Sequence, residues 1–223
     1  MKIVAVVPAK AQSRRCPAKN FRPLGGRPLW QWTVDAALGS KYVSEIIVTT
    51  DAPDAQMRSM ALAEQITIRD RGADLCEHGV SAVEAVRDAI MGVRLDAVLM
   101  LLPSAPFRTA ADIDAVVKRW HELGEQVAVV TVSPCQQITR KLRRVSVASG
   151  ILVHMPEAEH VLSNGAAQIA TLDYFQRGVT GFWRPGPVYP HRLSAKAGLD
   201  IDDEGDWAVA LHYAGEQEDD RAP

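Results

Sequence analysis

Apolar residues in this chain fall into short solid runs, and helical spacings lie between them. Residues 3–7 (Ile-Val-Ala-Val-Val) form the first run, which predicts a strand buried on both faces. Pro8 ends it, because proline has no N–H to give to a ladder. Similar runs at 45–50, 66–68, 97–102 and 127–132 predict further strands. Between them, Leu29, Trp32, Thr33, Ala36 and Ala37 share one helical face, and residues 54–65 read as a second helix. Val83, Val86, Ile90 and Val93 mark a third helix, starting near Val80, and Ile113, Val116, Val117, Trp120 and Leu123 mark a fourth. This β-α alternation predicts an α/β fold with a doubly wound, mostly parallel sheet and right-handed crossovers. From Pro134 the pattern weakens, with strand-like pieces at 150–154 and 166–171. Residues 134–195 therefore read as an inserted hairpin or small subdomain that covers a site and joins two subunits. Trp207, Ala210, Leu211 and Ala214 give a last helix its apolar face, and the acidic tail 216–223 is expected to be disordered.

At 223 residues and 47% apolar content the chain is read as one domain, 1–223, with a sizeable core. A formal charge of −2 argues against a general nucleic-acid or membrane-surface binder. Cys16, Cys76 and Cys135 match no metal or disulfide spacing, which suits a reducing compartment. The N-terminal apolar run is too short for a signal peptide, and no run reaches membrane-span length, so a cytoplasmic protein is expected.

Two stretches carry chemistry. The loop after the first strand holds the cations Lys10, Arg14, Arg15 and Lys19, with Ser13 and Asn20 as neutral hydrogen-bonding groups. Most such charges are solvated. Here they leave the carboxyl end of a buried strand, where α/β sheets place phosphates, and a polyanion would relieve their mutual repulsion. Neither glycine-rich nucleotide motif is present, so side chains must do most of the holding. Near the other end, residues 199–202 (Leu-Asp-Ile-Asp) read as a strand that sets Asp200 and Asp202 on one face, with Cα atoms about 6.6 Å apart. Such a pair suits a divalent cation such as Mg²⁺, which takes one or two carboxylates plus substrate phosphates. The competing role is capping of the following helix, for which Asp203 and Asp206 suffice. Ser81 either caps its helix or faces a ligand. The basic run at 140–144 reads as a solvated hairpin.

The motifs resemble a known family. Pro8-Ala9-Lys10-Ala11-Gln12-Ser13-Arg14-Arg15, continued by Pro17, Lys19 and Asn20, is similar to the opening of the acylneuraminate cytidylyltransferases, the CMP-sialic acid synthetases and their relatives. Pro103-Ser104-Ala105-Pro106-Phe107-Arg108, Asn164-Gly165-Ala166 and Asp200-Ile201-Asp202 with Asp206-Trp207 resemble later motifs of that family, in order. The resemblance implies a Rossmann-like nucleotidyltransferase that moves CMP from CTP to an acidic acceptor, releases pyrophosphate, uses Mg²⁺ and forms homodimers. It places the nucleotide on Lys10, Ser13, Arg14, Lys19 and Asn20, with Lys19 and Arg14 stabilising transition-state charge and Asp200 and Asp202 holding the metal; Ser81, from its place at the start of its helix, is a further nucleotide candidate. Arg108, Asn164 and Arg192 are the acceptor candidates, although either arginine could equally face solvent. Departures from the family pattern cluster on the acceptor side: Leu102 stands where the family has Gln, and Ala167 and Gln168 follow the Asn-Gly-Ala. Two acceptors are therefore open, a nonulosonic sugar acid or a small phosphonate such as phosphonoformate. From another class, a non-catalytic nucleotide-binding protein is also open.

Overall fold

The N-terminal apolar run forms β1 (Ile3–Pro8), and all of it is buried. A computed structural model describes residues 1–63, 66–77, 79–134, 143–145, 152–154, 161–178, 181–182 and 186–219. After β1 come a 3₁₀ turn (Lys19–Phe21), the small hairpin β2 (Pro23–Leu24) and β3 (Arg27–Pro28), α1 (Leu29–Leu38), β4 (Val43–Thr50), α2 (Ala55–Leu62) and β5 (Thr67–Asp70). Then follow the short α3 (Ala73–Cys76), α4 (Ala82–Ala89), β6 (Ala97–Met100), α5 (Ala110–Glu122) and β7 (Ala128–Pro134). The hairpin β8 (Arg143–Val145) and β9 (Leu152–His154), then β10 (Val161–Thr171), α6 (Leu172–Arg177), β11 (Val188–Arg192) and α7 (Glu204–Asp219) complete the chain.

Among the described residues the main sheet has seven strands in the order β11-β7-β10-β6-β1-β4-β5. β10 runs antiparallel to both β6 and β7, and every other pairing in this sheet is parallel. The expected doubly wound sheet is present, and alternate residues show why. Ile3, Ala5, Val7, Leu99 and Leu101 pack in one layer with Trp30 and Val34 of α1 and Ile113, Val116 and Trp120 of α5. Val4, Val6, Val98 and Met100 pack in the other with Val86 of α4 and Tyr174 and Phe175 of α6. A strand covered on both sides must be apolar at every position, which is what the solid runs reported.

The second half differs from expectation. β10 and β11 lie within the span read as an insertion, yet both belong to the main sheet. β10 is long, and its pairing shifts register between Ser163 and Gln168, so no steady alternation marks it in the sequence. The β8–β9 hairpin stands apart from that sheet. Arg140 and Lys141 of the basic run, and Cys135, lie outside the described residues. Residues 199–202 form no strand. Leu211 is 48% exposed and does not join the buried face of α7, which consists of Trp207, Ala210 and Ala214. α7 also runs to Asp219, past the start of the tail expected to be disordered, through residues with adequate helix propensity.

A third cluster positions the site. Cys16 from the basic loop, Leu24, Leu29, Trp32 and Phe107 pack with Ile201 and with Trp207 and Ala210 of α7. This cluster ties the C-terminal aspartates to the loop after β1.

Candidate active site

The loop after β1 is held in shape by its own polar groups. Ala11 N–H donates to Asp51 Oδ1 at 2.7 Å, which anchors the loop to the end of β4. Asn20 is buried, and its Nδ2 donates to the Lys10 carbonyl at 2.8 Å, closing the loop on itself. Ala18 takes a left-handed φ of 53°, which turns Lys19 inward. The loop walls a cavity of about 420 Å³ lined by Lys10, Ser13, Arg14, Arg15, Lys19 and, from the far end of the chain, Asp202. A second cavity of about 140 Å³ shares Lys10, Ser13 and Lys19 and adds Asn20, Arg71, Leu102 and Ser104. Both lie at the carboxyl ends of parallel strands, where this topology places ligands.

The aspartates reach the site on a loop. Ile201 is fully buried, and its N–H donates to the Ser104 carbonyl at 2.7 Å, pinning the loop against the turn after β6. Lys19 Nζ donates to the Ile201 carbonyl and lies 3.9 Å from Asp202 Oδ1. Arg15 Nη2 lies 3.0 Å from the same oxygen. Asp200 sits deeper, and its Oδ1 is buried without a hydrogen-bond partner. Burial pushes the Asp200 carboxyl above its ordinary pKa and the Asp202 charge adds to this, while Ser104 and Lys19 act in the opposite direction. Asp203 Oδ1 accepts from the N–H groups of Gly205 and Asp206, and Asp206 Oδ2 accepts from those of Asp202 and Asp203. These two residues make the helix cap, which leaves Asp200 and Asp202 for another purpose.

A divalent cation fits this donor set. The unpartnered Asp200 oxygen and the half-exposed Asp202 carboxylate are hard oxygen donors, and Asp202 lies on the wall of a cationic cavity; Mg²⁺ favours such donors together with phosphates. Among the described residues no cluster of three or more His, Cys, Asp or Glu could hold a metal, so substrate phosphates would have to complete the coordination.

The remaining candidates fall elsewhere. Ser81 is the N-cap of α4 in a reciprocal capping box with Glu84, and its neighbours Val80 and Ala82, rather than Ser81 itself, line the second cavity. Asn164, expected at the acceptor, is buried between strands: its Oδ1 accepts from Thr131 Oγ1 at 2.6 Å and Ala166 N–H at 3.1 Å, and its Nδ2 donates to Ser133 at 2.9 Å. That is a structural strut with its hydrogen bonds spent inside the protein. Arg108 is also buried. It donates to the Leu102 carbonyl, leaves Nε and Nη1 without partners, and lines neither cavity. Burial lowers its pKa to about 9, opposed by the charges of Asp200 and Asp112. Arg192 is exposed at the end of β11 and lines neither cavity. Two contributors were not singled out from the sequence. Arg71 follows β5 and is fixed by Nε and Nη2 donating to the Leu75 carbonyl at 3.0 and 2.7 Å. Ser104 joins the second cavity to Asp200. The signal for Arg71 was its place just past the carboxyl end of a parallel strand.

A cationic cavity at the strand ends, with Asp202 on its wall and the buried oxygen of Asp200 two residues away, suits a nucleotidyltransferase. Comparison with known proteins agrees: residues 4–185 match the family model described as cytidylyltransferase, and the chain belongs to that family. It is 31% identical, over 94% of each chain, to the CMP-N,N'-diacetyllegionaminic acid synthase of Legionella pneumophila. It is 28% identical to the N-acylneuraminate cytidylyltransferase of Escherichia coli over 94% of this chain, which spans 51% of that longer protein. Among solved structures, a CMP:2-keto-3-deoxy-manno-octonic acid synthetase complexed with CTP superposes with a TM-score of 0.72, covering 97% of this chain and 100% of that one, at 16% identity. The 4-diphosphocytidyl-2C-methyl-D-erythritol synthase of Anaerococcus prevotii gives 0.69 at 16% identity, covering 96% of each chain. These two likenesses show the fold. No helix among the described residues is long and apolar enough to cross a membrane.

Proposed function

We propose that this chain transfers CMP from CTP to a nonulosonic-type sugar acid, releasing pyrophosphate, and works as a cytoplasmic homodimer with Mg²⁺. The observation that carries this reading is the meeting of Lys10, Ser13, Arg14 and Lys19 with Asp202 around one cavity. Lys10, Ser13 and Arg14 hold the triphosphate. Lys19, only 15% exposed and fixed by the Ile201 carbonyl, is placed where the α-phosphoryl oxygens and the departing pyrophosphate gain negative charge. Asn20 and Arg71 shape the adjoining cavity for the nucleoside. Asp200 and Asp202 would hold the metal, which supplies Lewis-acid stabilisation of the phosphates. The acceptor oxygen needs positioning for in-line attack more than a covalent nucleophile on the enzyme. The sugar-acid class is supported by the Legionella relative, a synthase of CMP-N,N'-diacetyllegionaminic acid that aligns over 94% of both chains.

A second acceptor class, a small phosphonate, draws on Leu102. This apolar residue lines the second cavity and packs where a Cβ on Gly165 would sit, its Cδ1 only 2.3 Å from that position. The deciding experiment is pyrophosphate release with CTP, Mg²⁺ and a panel of nonulosonic acids, 3-deoxy-octulosonate and phosphonoformate. Turnover of a sugar acid with CTP supports the proposal. Turnover of phosphonoformate alone transfers it to the second class, and turnover of none of them overturns both.

A further inference from the structure

Among the described residues Asp202 is the only acid lining the larger cavity, and it shares that cavity with four cations, Lys10, Arg14, Arg15 and Lys19. Two of these already engage its Oδ1: Arg15 at 3.0 Å and Lys19 at 3.9 Å. They differ in freedom. Lys19 is 15% exposed and bonded to the Ile201 carbonyl, so it stays; Arg15 is 68% exposed, and its guanidinium can swing away. A divalent ion that uses Asp202 must take the oxygen that Arg15 covers. In a cavity without phosphates, that ion would also face the net positive charge of the loop. A triphosphate reverses both conditions, because it neutralises the loop and offers Arg15 acidic oxygens that suit a planar fork better than one carboxylate oxygen does.

We propose that Arg15 is an exchangeable counter-ion of Asp202, standing in the metal's place until the nucleotide arrives and then moving onto the phosphates. The two occupants alternate, so metal binds weakly to the free protein and tightly together with CTP. This inference rests on the reading of Asp200 and Asp202 as metal-holding residues and adds an order of events to it.

The test is Mn²⁺ binding, followed by electron paramagnetic resonance, with and without CTP, in the wild type, Arg15→Gln, Arg15→Lys and Asp202→Asn. Arg15 is exposed, so its variants are expected to fold. Without nucleotide, Arg15→Gln binds Mn²⁺ about two- to fivefold more tightly than the wild type, the range that losing one exposed ion pair allows. Arg15→Lys stays near the wild type, and Asp202→Asn weakens binding. With CTP present, the advantage of Arg15→Gln vanishes or reverses, because a phosphate partner has been lost. Equal Mn²⁺ affinity of wild type and Arg15→Gln without nucleotide, with Asp202→Asn still weaker, overturns the exchange and leaves the metal reading standing. An Asp202→Asn variant that binds Mn²⁺ as the wild type does, with and without CTP, overturns the metal reading and the exchange with it.

Discussion

Lys19 is largely buried, held in place by a backbone carbonyl, and lies on the wall of both cavities. Its ammonium donates to the Ile201 carbonyl beside Asp202. Replacing it with alanine removes a preorganised cation from the departing pyrophosphate. kcat is expected to fall by about 10²–10³, as for other removed transition-state donors, with a smaller change in CTP affinity. Stopped-flow pyrophosphate release with parallel calorimetry of CTP separates the two. Asn20 should behave differently. Its Nδ2 bond to the Lys10 carbonyl shapes the loop, so Asn20→Ala is expected to cost about 1 kcal/mol of stability and to weaken CTP binding. Chemical denaturation and a CTP titration would show both effects. At this scale the sequence was legible where chemistry was dense: a run of cations and a spaced acid pair announce themselves by type and spacing. The burial of Asn164 and Arg108, and their absence from both cavity walls, was not legible, because these residue types suit a ligand and an interior hydrogen bond equally well. Arg71 was not legible because it is a single cation whose meaning depends on where β5 ends.

Ser81 separates capping from binding at the scale of one helix. Its hydroxyl accepts from Glu84 N–H at 3.3 Å, and Glu84 Oε2 accepts from Ser81 N–H at 2.7 Å, so the first turn of α4 is closed reciprocally. Ser81→Ala is expected to cost about 1 kcal/mol of stability, with CTP affinity unchanged. A loss of CTP affinity comparable to that of Asn20→Ala would return Ser81 to the nucleotide. The edge strand β11 carries a titration of its own. Burial against α5 pushes His191 below its ordinary pKa, and Arg119 adds to this while Asp112 opposes it. The folded state therefore holds fewer protons at this site than the unfolded chain. Stability from His191 is complete above the unfolded value of about 6.5 and is lost as pH falls through the lower folded value. Denaturation midpoints taken between pH 7.5 and pH 5 should fall more steeply for the wild type than for His191→Gln; parallel slopes would remove His191 from the account. Elements in the first half were legible because strands buried on both faces are apolar throughout. β10 was legible only in its second half, 166–171, because its centre mixes Asn164, Gly165 and Gln168 into a strand whose pairing shifts, and β11 was not because Pro190 and His191 interrupt an edge strand.

At the scale of the whole molecule, the active site exists only if the chain's two ends stay together, and Trp207 does most of that holding. It is 2% exposed within the cluster that joins Cys16, Leu24 and Phe107 to Ile201, and the Arg22 guanidinium lies 4.2 Å from its ring centre. Arg22 in turn reaches both oxygens of Glu204 at 2.8 Å, so α7 is fastened at its first turn by stacking and charge together. The carboxylates follow from this docking: Ile201 is clamped between Ser104 and the cluster, and Asp200 and Asp202 flank it. In the proposed function, CTP is held by the loop after β1, which Asp51 and the Asn20–Lys10 bond also fix, and by Arg71 just past β5. Weakening the cluster should therefore damage catalysis before it damages nucleotide binding. Trp207→Ala is expected to cost about 3–5 kcal/mol, the range for emptying a buried aromatic site. For a chain of this size that lowers Tm by roughly 6–20 °C. Trp207→Phe keeps part of the packing and should stay folded, and its signature is a split: kcat falls several-fold while the Kd for CTP without metal is unchanged. If that variant instead loses CTP affinity and turnover in equal measure, α7 supports the loop itself rather than the carboxylates. The two ends of the site would then be one mechanical unit instead of two parts brought together by a hydrophobic joint.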